Sequence, residues 1–201
     1  MTPREILQQY WGYDTFRPLQ EDIILSVLSR KDTLAILPTG GGKSVCFQVP
    51  GMVMDGLCLV ISPLIALIQD QLSQLHKKNI PAGAIYAGMP FPDVKSTMQK
   101  AVAGEFKFLY VSPERLETRL FNDYLPYLPI ELIAVDEAHC ISQWGYDFRP
   151  AYLTISDIRK QKPGVPVLAL TASATAEVRQ DIADKLKLRE PAIFRQSFER
   201  P

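Results

Sequence analysis

Two short stretches of this sequence carry residue types and spacings suited to phosphate chemistry. The first is Leu37-Pro38-Thr39-Gly40-Gly41-Gly42-Lys43-Ser44, and the second is Ile133-Ala134-Val135-Asp136-Glu137-Ala138-His139. An apolar run over 33–37 leads into the glycines and an apolar-periodic segment follows from Val45, so the first stretch reads as strand, glycine turn, helix. That geometry aims successive backbone N–H groups and a helix N-terminus at one point, which suits a polyphosphate. After Thr39, the glycines Gly40, Gly41 and Gly42 let the main chain approach phosphate oxygens without Cβ clashes. Lys43 would reach the β- and γ-phosphates, and the Ser44 hydroxyl would hold Mg²⁺. The competing reading is a Gly-rich turn with a solvated lysine, and Leu37 stands where the strict pattern opens with glycine.

The second stretch places two adjacent carboxylates at the end of an apolar strand. A buried carboxylate pair is costly unless a cation or hydrogen bonds compensate it. An ion arriving with a nucleotide would do so, with Asp136 holding it. Glu137, one residue on, would point elsewhere and orient or deprotonate a water for in-line attack. An exposed loop acid pair is the alternative, and Lys43 on a neighbouring strand end argues against it.

The elements that must hold these groups are legible along the chain. Thr2-Pro3-Arg4-Glu5 forms a capping box for a short helix to about Tyr10, and a turn follows at Gly12-Tyr13-Asp14. Phe16-Arg17-Pro18-Leu19-Gln20 opens a second helix with Ile23, Ile24, Val27 and Leu28 on one face. Gln20 is a candidate base reader, because its amide can donate to one adenine edge atom and accept from another. Arg17 would stack on the base or brace the glutamine; both residues could equally be polar groups at a helix start. Strands are expected over 57–61, 82–86, 108–111, 132–135, 167–170 and 192–195. Helices are expected after Ser62-Pro63, over 92–103, after Ser112-Pro113 and from a Thr175 cap to about Leu186. Such alternation argues a buried parallel sheet with helices on both faces, binding ligands at the strand carboxyl ends. The junctions at Ser62 and Ser112 could be helix caps only, or could offer amides to the phosphates of a passing strand.

Composition narrows the class. The 201 residues are 47% hydrophobic and 22% charged, with 22 basic and 22 acidic residues, so bulk charge gives no sign of nucleic acid and any such contact must be local. No apolar run approaches the ~20 residues of a membrane span. Three scattered cysteines, Cys46, Cys58 and Cys140, fit a reducing compartment and neither a disulfide framework nor a zinc site. His76, among Gln74, Lys77 and Lys78, reads as a solvated helix residue. One domain over 1–201 is the economical division.

The glycine stretch together with Asp136-Glu137-Ala138-His139 resembles superfamily 2 helicases. The run Cys140-Ile141-Ser142-Gln143-Trp144-Gly145-Tyr146-Asp147-Phe148-Arg149-Pro150 resembles the aromatic-rich loop of RecQ helicases. Phe16-Arg17 with Gln20 resembles the family's adenine-recognition motif. The stretches 62–71 and 111–116 resemble its early DNA-contacting motifs, and Leu170-Thr171-Ala172-Ser173-Ala174-Thr175 the motif coupling hydrolysis to strand movement. The resemblance implies a P-loop, RecA-like three-layer α/β/α sandwich that binds ATP and Mg²⁺ and moves 3′ to 5′ on DNA. Lys43, Asp136, Glu137 and His139 would be catalytic, with Ser44 and Asp136 on the metal. Ser62, Ser112, Trp144, Phe148, Arg149, Thr171 and Ser173 would contact DNA or couple to it. It further implies a role in recombination and repair, in the cytoplasm with the bacterial nucleoid or in a eukaryotic nucleus. Tyr146 and Ala151 depart from the family's usual histidine and acid, the histidine being thought to link the loop to the nucleotide site. A second RecA-like lobe with its arginine finger, a zinc-binding module and a winged helix are expected outside this chain, so no zinc is expected in it and little activity from it alone.

From the residues themselves, alternating Trp144, Tyr146 and Phe148 beside Arg149 suit a surface loop on which bases stack, although one or two could be core. Rival readings are another P-loop enzyme or a module that binds DNA without hydrolysis. A GTPase would show Asn-Lys-x-Asp and a transport ATPase Leu-Ser-Gly-Gly-Gln, and neither occurs.

Overall fold

Among the described residues the apolar runs become seven strands: β1 (Thr33–Ile36), β2 (Leu57–Ile61), β3 (Ala82–Ile85), β4 (Phe108–Val111), β5 (Ile130–Val135), β6 (Val167–Thr171) and β7 (Ala192–Arg195). The structure is a computed structural model and describes residues 1–38, 42–172 and 174–196. The strands lie in the order β3-β4-β2-β5-β6-β1-β7, and every neighbouring pair is parallel. The helices are α1 (Pro3–Ile6), α2 (Gln20–Leu28), α3 (Val45–Val53), α4 (Ile65–Lys77), α5 (Phe91–Val102), α6 (Arg119–Tyr124), α7 (Ile155–Gln161) and α8 (Ala176–Lys185).

Side-chain alternation along each strand sorts the core into two layers. Leu34, Ile36, Leu59, Ile61, Ile133, Val135, Val167 and Ala169 face one side, where α5, α6, α7 and α8 supply Val94, Met98, Phe121, Ile155, Ile158, Val178 and Ile182. Ala35, Val60, Leu132, Ala134, Leu168 and Leu170 face the other, against Ile23, Val27, Phe47, Ile68 and Leu75 of α2, α3 and α4. Each buried Val, Leu, Ile, Met or Phe side chain among them contributes roughly 1.5–3 kcal/mol by leaving water. The result is the expected three-layer sandwich.

Threonine side chains cap the starts of α1, α6 and α8. The Thr2 hydroxyl accepts from the Glu5 amide at 3.2 Å, and the Thr175 hydroxyl from the Val178 amide at 3.3 Å. The first helix differs from expectation: after α1 it widens into a π-helical turn, Leu7–Trp11, which Gly12 closes at φ +75°. The two serine junctions also differ. Helix α4 starts only at Ile65, and the buried Ser62 hydroxyl has no hydrogen-bond partner among the described residues. Ser112 precedes a 3₁₀ turn, Pro113–Glu117, and its hydroxyl accepts instead from the Ala87 amide at 3.1 Å. Neither serine caps a helix, because both side chains turn inward. His76 is exposed as expected, although Nε2 lies 2.8 Å from the Ala82 carbonyl.

The amino ends of the strands are tied by a buried ion pair. Arg159 Nη1 is 2.6 Å from Asp32 Oδ2, and Asp32 also accepts from the amides of Val167 and Arg189.

Candidate nucleotide and nucleic-acid site

Parallel strands bring all their carboxyl ends to one rim. From one side to the other, that rim carries Ser112 after β4, Ser62 after β2, Asp136 after β5, Thr171 closing β6, and Lys43 and Ser44 beyond β1. The acid pair and the glycine stretch are not on adjacent strands, as Lys43's expected place implied. Strand β6 lies between them, so they are separated by two strand spacings, about 10 Å.

Lys43 reaches over this gap, with Nζ 3.7 Å from Glu137 Oε1. Gly42 has φ +73°, a left-handed conformation that suits glycine, and a Cβ there would collide with Gln20 Nε2. That nitrogen donates to the Gly42 carbonyl at 3.0 Å, while Gln20 Oε1 accepts from the Arg17 amide at 2.8 Å. Both ends of the Gln20 amide are therefore engaged with main chain, and the glutamine ties α2 to the phosphate turn. Arg17, Gln20, Gly42 and Ser44 line one cavity of about 240 Å³ together with Tyr13 and Gln48. Ser44 leads into α3 without a capping hydrogen bond from its side chain. Thr39, Gly40, Gly41 and Ser173 lie outside the described residues.

Asp136 is buried at the end of β5. Its amide donates to the Ile61 carbonyl at 2.9 Å, and its carbonyl accepts from the Tyr152 hydroxyl at 2.8 Å. Burial pushes its carboxyl up from 3.8 to about 6, against the pull of Lys43. Glu137 adopts a left-handed φ of +50°, which turns its side chain away from that of Asp136 and costs about 1–2 kcal/mol. Its Oε2 lies 3.5 Å from Nδ1 of His139, and the same nitrogen is 2.9 Å from the Thr171 hydroxyl. Burial holds His139 below its ordinary value, and Lys43 adds to that while Glu137 opposes it. The donor set offered to a metal is hard oxygen, a hydroxyl and a carboxylate whose charge burial disfavours. Among the described residues no cluster of three His, Cys, Asp or Glu could hold a metal. Two protein oxygens completed by ligand phosphates fit Mg²⁺, which binds in that manner.

The aromatic run is a surface loop. Trp144 and Tyr146 are 74% and 65% exposed, while Phe148 is half-buried. Ser142 fixes the loop by donating to Asp181 Oδ2 of α8 at 2.7 Å and accepting from the Trp144 amide. Gly145 permits close approach, since a Cβ would sit 3.0 Å from the His139 carbonyl. The Tyr146 ring stacks on His139 with centroids 4.4 Å apart, so the loop touches the nucleotide side through this ring. Arg149 lies 3.4 Å from Asp147 and 4.0 Å from Glu114.

The sequence matches the DEAD/DEAH box helicase family over residues 17–182. The chain belongs to that family. It is 42% identical over 200 residues to the ATP-dependent DNA helicase RecQ of Pasteurella multocida, covering all of this chain and 32% of that protein. It is 43% identical over 198 residues to the probable ATP-dependent DNA helicase RecS of Bacillus subtilis, covering 98% of this chain and 40% of the relative. The chain thus spans about a third of the length of the first relative and two fifths of the second. Among solved structures, the DUF1998 helicase MrfA bound to DNA superposes with a TM-score of 0.78 at 15% identity, over 98% of this chain and 29% of that one, a likeness of fold.

Within this DEAD/DEAH box chain, two contributors were not foreseen. Tyr13 was read only as part of a turn, yet it borders the Gln20 cavity. Tyr152, which no motif singles out, donates its hydroxyl to the Asp136 carbonyl. An aromatic four residues before Arg17 could have drawn attention to Tyr13; no local pattern distinguishes Tyr152.

Proposed function

We propose that this chain is the ATP-binding motor lobe of a DNA helicase. The observation that carries the reading is Lys43 reaching across β6 to within 3.7 Å of Glu137, beside the buried carboxyl of Asp136. Names of the relatives, all ATP-dependent DNA helicases, support it. Bound Mg-ATP would supply a polarised γ-phosphate and its leaving group. The first-turn amides of α3, Thr39, Gly40, Gly41, Gly42 and Lys43 bind the phosphates, Ser44 and Asp136 hold the metal, and Arg17, Gln20 and Tyr13 surround the base. Glu137 orients a water and accepts its proton. His139, neutral near physiological pH, holds Glu137 and Thr171 in register, and Tyr146 passes their arrangement to the loop.

Trp144 and Phe148 stack on bases of single-stranded DNA, and Arg149 pairs with a phosphate. The junctions at Ser62 and Ser112 offer the strand only amides beyond Pro63 and Pro113, since the serine amides donate to the Val111 and Ile85 carbonyls and both hydroxyls are buried. Ser173 belongs to the coupling segment with Thr171. A second RecA-like lobe of the same protein completes the site. Its arginine finger would contribute about 10³–10⁵ in rate, so this lobe alone hydrolyses ATP poorly. Movement from 3′ to 5′, work in recombination and repair, and an intracellular location complete the proposal; no helix among the described residues is long and apolar enough to cross a membrane.

The test is DNA-stimulated ATP hydrolysis by the full-length protein, with Lys43→Ala and Glu137→Gln variants. Both variants should lose turnover, and Glu137→Gln should still bind ATP. Undiminished turnover in Lys43→Ala would refute the assignment, and duplexes with either overhang would report polarity.

A further inference from the structure

The end of the sheet opposite the rim carries a cleft of about 490 Å³ lined by Arg30, Lys31, Asp32, Arg159, Arg189 and Glu190. It sits at the amino ends of β1, β6 and β7, where α2, α7 and α8 finish. The charge balance depends on what Asp32 does. Its carboxylate is consumed internally by the Arg159 guanidinium at 2.6 Å and by the Val167 and Arg189 amides at 3.0 and 2.7 Å. Asp32 and Arg159 therefore cancel, leaving Arg30, Lys31 and Arg189 against Glu190 alone, a net charge of two positive. Arg30 and Lys31 are exposed and form no ion pair among the described residues. Arg189 donates Nη1 to the Pro163 carbonyl at 3.0 Å, which anchors the guanidinium at the mouth and leaves its other donors for a ligand.

Cations at single helix ends answer the helix dipole and need no ligand. Here three helix ends surround one open cavity, and the cations that follow α2 and α8, unpaired among the described residues, act together in a chain whose net charge is zero. Two forked guanidiniums and an ammonium match the oxygens of phosphodiesters in a way that they do not match an apolar or cationic surface. We infer that this cleft binds the phosphate backbone of a nucleic-acid strand, apart from the contacts at the rim. The inference rests on the reading of the chain as a nucleic-acid motor, and the substitutions below leave the rim untouched.

The experiment measures affinity of the full-length protein for a short fluorescein-labelled single strand by anisotropy, from about 50 to 200 mM salt. The wild-type protein is compared with the triple variant Arg30→Gln, Lys31→Gln, Arg189→Gln. Each lost phosphate contact should flatten the salt dependence by ~0.7, so over this fourfold range the wild type should lose roughly 20-fold more affinity than the variant. Equal salt slopes in two proteins with the same unfolding midpoint would overturn the inference. So would an acidic peptide binding in a cleft-dependent way while the single strand did not. Failure of the wild type to bind the strand at all would instead count against the motor reading.

Discussion

Replacing Asp136 by asparagine should stabilise the protein, by an amount that depends on pH. The carboxyl is buried at the end of β5, and burial raises it from 3.8 to about 6. The folded state therefore holds this proton more tightly than the unfolded chain does. Stability from this group is fully present below about pH 4 and is lost as pH rises through about 6. The loss is two pH units at 1.36 kcal/mol each, about 3 kcal/mol. Asparagine keeps an oxygen to accept from the Glu137 amide, a bond of 2.9 Å in the native protein, and carries no charge. The variant should match wild type near pH 4 and exceed it by up to about 3 kcal/mol at pH 7.5, or about 6–12 °C in Tm for a domain this size. The assay is thermal unfolding of both proteins in EDTA, without nucleotide, at several pH values. Taking the difference between them cancels the titrating groups that do not interact with Asp136, leaving Lys43 and Glu137 as its coupled neighbours. A difference that stays flat between pH 4 and 7, or shrinks as pH rises, would refute the reasoning. The same substitution should remove ATP hydrolysis, since a site built around a burdened charge trades stability for chemistry.

Gly42→Ala should place a methyl group against Gln20 Nε2 in a left-handed backbone, at a cost of about 1–2 kcal/mol. Weaker nucleotide binding in a titration is expected, and unchanged affinity would mean that the Gln20 tether is dispensable. Asp32→Ala would leave the buried Arg159 without its partner at 2.6 Å and should cost about 3–5 kcal/mol in urea unfolding. A loss under about 1 kcal/mol would show that the guanidinium finds water instead.

Much of this arrangement could be read before any coordinates. The strands were legible because short apolar runs buried on both faces leave little ambiguity once glycines and prolines bound them. That Lys43, Ser44, Asp136 and Glu137 would meet at one rim was legible because each follows an apolar run, and parallel strands share their carboxyl ends. Strand order was not, and it misplaced Lys43 as a neighbour of the acid pair. The insertion of β6 depends on how helices pack across two faces, which periodicity does not carry. Ser62 and Ser112 misled because a serine before proline has the composition of a cap whether it turns outward or inward. The tie from Gln20 to Gly42 links a side chain to a carbonyl 22 positions on, and Arg159 meets Asp32 across 127. Contacts of that range leave no local signature.

Placing β6 between β1 and β5 means that the gauge of the gap is set by ladders of backbone hydrogen bonds and not by the loops that carry Lys43 and the acid pair. Thr33 to Ile36 pair with Leu168 to Thr171, and Ile133 to Val135 with Val167 to Ala169, so two ladders of backbone hydrogen bonds fix the spacing of the strands that lead to the lysine and the acids. Loop substitutions can change which groups face the gap while its width persists. Only a change in the twist or shear of the three central strands would widen it.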